Sequence, residues 1–145
     1  MPMVPFHSRC PDVARREIRS LTVIPGAGSP PTEEYAFLEW YCDDPKCDCR
    51  RAFIQILAKS RPGVILASLN IGWESEEFYH KQFPYMPEAA REITEGSLDP
   101  INEQSDEAPA LLKLFQDHVA SAAYRARLKQ HYELFRRTRP GPLTK

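Results

Sequence analysis

Three of the chain's four cysteines fall within eight residues, in the stretch YCDDPKCDCRR at 41–51. Cys42 precedes Cys47 by five positions, and Cys47 and Cys49 are two apart. Thiolates this close can meet at one soft metal ion. Zn²⁺ takes four such donors in a tetrahedron at about 2.3 Å. Pro45 bends the chain, and Asp43, Asp44 and Asp48 suit the backbone of a tight turn. A closed site needs a fourth ligand. Cys10 is the remaining cysteine, and His7 lies three residues before it. If the first two strands pair as a hairpin, the residues ahead of the first strand return beside the end of the second. Cys10 then approaches Cys42. Three cysteines with His7 is the competing set. Four protein ligands leave no open position, so the expected role is structural. A lone cysteine is usually a small buried hydrophobe; three in one polar turn are not explained that way. Thiol-redox chemistry through Cys47 and Cys49 is the competing use of the cluster.

Other chemistry-bearing residues carry weaker signals. Arg50 and Arg51 directly follow the cluster and could bind an anion, but they also balance the aspartates and thiolates around them. The C-terminal stretch RARLKQHYELFRRTRP interleaves charge with Tyr132 and Phe135. With Arg50 and Arg51, the residues Arg125, Lys129, Arg136 and Arg137 form the set that could meet nucleic acid or another anion. A solvated basic face near a helix C-terminus is the alternative. His80 has an acid four residues earlier, Glu76, which would serve acid–base work, yet no nucleophile or second motif accompanies it. His118 and His131 read as boundary residues of helix packing. PGAGSPP lacks the Lys-Ser/Thr ending of a phosphate loop. Neither H-E-x-x-H nor G-x-S-x-G is present, and no H-x-E precedes a P-C-x-x-C.

The elements that must position these residues follow from periodicity. IRSLTVI at 18–24 is a β-branched strand, and the loop PGAGSPP follows it. YAFLEWYC at 35–42 is a second strand. In RAFIQILAK at 51–59, Ala52, Ile54, Ile56 and Ala58 share a face. In VILASLNIGW at 64–73, Ile65, Ala67, Leu69, Ile71 and Trp73 do so. The period then changes. Ser75 caps a short helix ended by Pro84, and PEAAREITEG runs from Pro87 to a stop at Gly96. A polar loop leads to Ser105, which can cap a helix carrying Leu111, Leu114, Phe115 and Val119 on one face. A last helix spans about 122–137, with Tyr124, Leu128, His131 and Phe135 near one stripe. Strands followed by helices imply an α+β domain: a four-stranded antiparallel meander, helices on one face, and a zinc-pinned hairpin tip.

The totals agree with one domain. The chain has 145 residues and a net charge of -1, with a sheet half over 1–73, a helical half over 74–137 and a tail over 138–145. From Arg125 to Lys145 the net is +6, leaving -7 on the remainder. No apolar run nears the roughly 18 residues of a membrane span. MPMVPFHSRC lacks the apolar core of a secretory signal, so the expected location is the cytoplasm, where clustered thiols stay reduced and serve metals or redox chemistry. YCDDPKCDCRR, LNIGWES, and LDPINEQSDEAPALLKLF followed by YRARLKQHYELFR resemble a family of small uncharacterised bacterial proteins with a YC-x-DP-x-CDCRR signature. The resemblance implies a single bacterial domain and no particular activity. The expectation is a zinc-binding interaction or regulatory domain with an unknown protein partner and no membrane. A nucleic-acid-binding accessory protein is the alternative, and an enzyme comes third.

Overall fold

The computed structural model describes residues 3–23 and 33–138. The expected loop at 25–31 and the tail from residue 139 lie outside them. Strand β1 (Met3–Pro5), helices α1 (Phe6–Arg9) and α2 (Pro11–Glu17), and strand β2 (Arg19–Val23) form the N-terminal arm. Strands β3 (Glu33–Cys42), β4 (Arg51–Ala58) and β5 (Ala67–Gly72) follow. Helices α3 (Glu76–Gln82) and α4 (Pro87–Glu95), strand β6 (Ser97–Leu98), and helices α5 (Ala108–His118) and α6 (Ala122–Arg137) complete the order. The fold is α+β, with an antiparallel sheet and helices.

Among the described residues the sheet has six strands where periodicity signalled four. β2 pairs with β3, β3 with β4 and β4 with β5, all antiparallel. The two additions are short. β6 pairs with β5 through two residues, and β1 sets Met3 opposite Cys42 and Pro5 opposite Trp40. Strands of two or three residues are too short to display an alternation. β1 and β2 lie end to end along one edge of β3, because β4 occupies the other edge over 35–40.

Alternation in β3 turns Tyr35, Phe37, Glu39 and Tyr41 inward. With Ile54 and Ile56 of β4 and Leu69 and Ile71 of β5 they meet Leu111, Phe115, Leu128 and Phe135 of the last two helices in one core. Burying a side chain of this size contributes roughly 1.5–3 kcal/mol. Helix limits follow local chemistry. Ser75 Oγ accepts from Phe78 N, and Ser121 Oγ accepts from Tyr124 N. Gly96, at φ 89°, ends α4 in a conformation that costs glycine little. Ser105 lies before α5 rather than at its cap. Its hydroxyl donates to Leu66 O and accepts from Glu107 N, tying the loop to the sheet.

Gly72, at the end of β5, has no room for a side chain. A Cβ there would overlap the Tyr79 hydroxyl and lie 2.7 Å from Ile93 Cγ2. Tyr79 cannot yield easily: it is fully buried, donates to Arg50 O at 2.6 Å and accepts from Glu74 N at 3.2 Å. Gly72→Ala is therefore expected to destabilise by about 1–3 kcal/mol through overpacking, read as a fall in denaturant midpoint at unchanged slope. An unchanged midpoint would mean that α3 shifts freely.

Candidate metal centre

The connection between β3 and β4, residues 43–50, carries the cluster. Cys42 ends β3. A turn follows in which Cys47 N donates to Asp44 O at 3.1 Å and Lys46 N donates to Asp44 Oδ1 at 2.9 Å. The aspartate thus folds the backbone back on itself, as its type favours. Arg50 takes φ 52°, a left-handed conformation that returns the chain into β4. The sulfurs of Cys42, Cys47 and Cys49 all lie within 4.8 Å of one another. Ligands at about 2.3 Å from a tetrahedral centre sit roughly 3.8 Å apart. The three thiols are therefore close enough to hold one metal ion. Cys42 and Cys49 are buried and Cys47 is half-buried. Burial raises the thiol pKa of Cys42 and of Cys47, and the Asp44 N–H, 3.5 Å from Cys42 Sγ, works against it.

Two helices strap this loop down. Arg136 of α6 donates to Cys47 O at 2.6 Å, and Tyr132 donates to Asp48 Oδ1 at 2.8 Å. Gln82, at the end of α3, donates to Asp48 O at 3.3 Å. Arg50 Nη2 pairs with Asp48 at 2.9 Å and its Nη1 with Glu74 at 3.5 Å. The Arg50 bond holds the Asp48 carboxyl below its usual range.

The fourth cysteine is placed differently. Cys10 sits between α1 and α2, buried, with its Sγ 3.4 Å from Thr138 Oγ1. Neither Cys10 nor His7 belongs to the group of three, and His7 is exposed on α1. The arm does return beside Cys42, but it brings Met3 opposite that residue. α1 then carries the chain on toward the end of α6. Arg9, next to Cys10, still pairs with Asp43, next to Cys42, at 2.8 Å.

The basic residues divide. Arg50, Lys129, Arg136 and Arg137 line one open pocket beside the loop. Arg51 lies over the Phe83 ring at 5.1 Å, and Arg125 donates to Gly72 O at 2.9 Å. Both serve packing instead. His80 is exposed with Glu76 at 3.9 Å, and His118 is exposed at the end of α5. His131 corrects its expectation as a boundary residue. It is only 2% exposed and is clasped by two carboxyls, with Nδ1 2.6 Å from Glu39 Oε1 and Nε2 2.7 Å from Glu17 Oε1. Tyr41 Oη donates to the same Glu39 oxygen at 2.7 Å, and Phe6 stacks on the imidazole at 4.4 Å. Sequence reasoning missed this clasp. Its readable signal was Glu39 itself, an acid at an inward position of an alternating strand.

Fold and centre together define an α+β domain with a cysteine cluster on the loop between its two longest strands. Among the described residues, no helix is long and apolar enough to cross a membrane. Comparison of the chain with protein-family models, with curated proteins and with solved structures finds no match.

Proposed function

We propose that the chain is a zinc-binding domain of the interaction or regulatory kind, in which Cys42, Cys47 and Cys49 hold the metal and Cys10 completes the set. The carrying observation is the mutual reach of three sulfurs in one short loop. Soft thiolate donors select zinc over the hard divalent ions. Cys10 lies outside the group of three, so its service as fourth donor requires the arm to shift on metal binding. The Arg9–Asp43 pair supports it only in tying the segment that carries Cys10 to the loop. Bound metal would tie the arm to the loop that α3 and α6 already grip, giving a rigid surface rather than a site for turnover.

Purified from a reducing cytoplasm, the protein is expected to carry about one zinc per chain. Cys10→Ser should speed chelator-driven zinc loss, while His7→Ala should leave it unchanged. Elemental analysis and chelator kinetics on the three proteins decide the matter. A metal-free, fully folded wild type with four titratable thiols would overturn the metal reading. Metal retained by Cys10→Ser and lost by His7→Ala would exchange the fourth ligand. Retention by both would mean that the fourth donor lies elsewhere or that the site is not closed.

A further inference from the structure

The cysteine loop forms one wall of an open pocket of about 520 Å³, within the range of small-molecule sites. Lys129, Tyr132, Glu133 and Arg136 line it from α6 at helical spacing, with Arg137 beside them. Asp48 and Arg50 face them from the loop, and Trp73 and Glu74 from the chain after β5. The charges are unevenly satisfied. Arg50 is neutralised by Asp48 and Glu74. Arg136 donates only to neutral acceptors, Cys47 O and the Tyr132 hydroxyl at 3.2 Å. Lys129 and Arg137 are exposed and have no acidic partner among the described residues. The lining therefore holds four cations, Arg50, Lys129, Arg136 and Arg137, against three carboxylates, Asp48, Glu74 and Glu133, a net of +1, with Lys129 and Arg137 outside any ion pair among the described residues.

Favourable interaction with the C-terminal dipole of α6 accounts for cations in its last turn only. Lys129 lies two turns earlier and lines the same pocket. The aromatic wall adds a second requirement. Trp73 is half-buried, and its ring is oriented by Tyr132 at 5.1 Å and Tyr41 at 6.5 Å. An indole held in place beside free cations is the combination that stacks a flat base and neutralises its phosphate.

We propose that this pocket binds a nucleotide-class ligand, an aromatic base carrying phosphate, with Trp73 meeting the base and Lys129, Arg136 and Arg137 meeting the phosphate. The inference is independent of which metal the cysteines hold. The same chemistry is presented by a free nucleotide and by a single strand of nucleic acid.

The test titrates the full chain with AMP, ATP, inorganic phosphate and a ten-residue oligothymidine, following tryptophan fluorescence and heat at two salt concentrations. ATP or the oligonucleotide should quench saturably. The Lys129→Ala/Arg137→Ala double variant should weaken binding roughly tenfold or more, and Trp73→Phe should remove most of the quenching. Tighter binding of the oligonucleotide with steep salt dependence identifies a strand as the source; tighter binding of ATP identifies the free nucleotide. Lys129 and Arg137 are exposed, so their replacement should leave the core intact, which circular dichroism of the double variant checks. Metal content measured on the same samples separates failure of the zinc reading from failure here. No saturable binding by any probe, phosphate matching ATP, or an unaffected double variant would each overturn the proposal.

Discussion

His131→Ala is expected to lower the stability of the fold by about 3–5 kcal/mol, the usual loss when one partner of a buried ion pair is removed. The side chains of His131 and Glu39 are each 3% exposed, so water cannot replace the missing partner. Among the described residues, the Glu39 carboxylate would keep the Tyr41 hydroxyl as its side-chain partner. Phe6 would lose the ring it stacks on, and the last helix would lose one polar link to β3 and one to α2, keeping Tyr41 Oη to Leu128 O at 3.3 Å and Arg127 to Glu17 at 3.9 Å. For a chain of this length the fall in melting temperature is roughly 10–15 °C.

The pH dependence of this loss tests the charge state. Both ring nitrogens face carboxyl oxygens, and both can donate only as imidazolium. Burial opposes that charge, but the bonds and charges of Glu39 and Glu17 outweigh it, so the His131 pKa is raised above 6.5. The Glu17 carboxyl is lowered below 4.5, first by its bond to His131 and further by the charges of Arg127 and Arg16. The histidine contribution is fully present below pH 6.5, its unfolded value, and is lost as pH rises through the raised folded value. The Glu17 contribution is present above pH 4.5 and is lost as pH falls through its lowered folded value. The clasp therefore contributes most between these limits. Denaturant melts of wild type and His131→Ala should differ most near pH 5.5 and less at alkaline pH. An equal difference at both would show a neutral histidine and remove the ion-pair account.

Cys42→Ser is expected to reduce bound zinc from about one per chain to a small fraction of that. A hydroxyl is a poor donor to zinc beside thiolates. Cys42 is also the cluster member anchored at the end of a strand, 1% exposed, with Met3 opposite it on the neighbouring strand. Metal that binds the native state alone stabilises it by about 2.7 kcal/mol when free metal is a hundred times its dissociation constant. The core between sheet and helices remains without the metal, so the variant should stay folded but melt lower. Chelator-treated wild type supplies the comparison. If it melts where Cys42→Ser melts, the loss is the metal's. If the variant melts far lower, the cysteine's packing carries the effect, and full zinc retention by the variant would remove Cys42 from the ligand set.

Much of this molecule is legible locally. Alternation in 51–59 and 64–73 signals β4 and β5, because every second residue of an extended chain shares one face, although β5 begins only at Ala67 and is covered on both faces, Ser68 being as buried as Leu69. Ser75, Pro87 and Gly96 mark the ends of α3 and α4 through groups a few residues away. Residues 122–137 carry their helix in the spacing of Tyr124, Leu128, His131 and Phe135. The meeting of Cys42, Cys47 and Cys49 is local too: eight residues folded by an aspartate turn cannot hold their thiols far apart. The tertiary structure decided what had no local counterpart. It paired β1 with β3 so that Met3, rather than Cys10, faces Cys42. It set His131 between Glu17 and Glu39, 114 and 92 positions away. It gathered Arg50, Trp73, Lys129 and Arg137 around one pocket while turning Arg51 and Arg125 to packing. Periodicity states which face of an element is buried but not which element covers it. A partner a hundred residues away is selected by the shape and charge of the whole core, and that information exists only once the chain has closed.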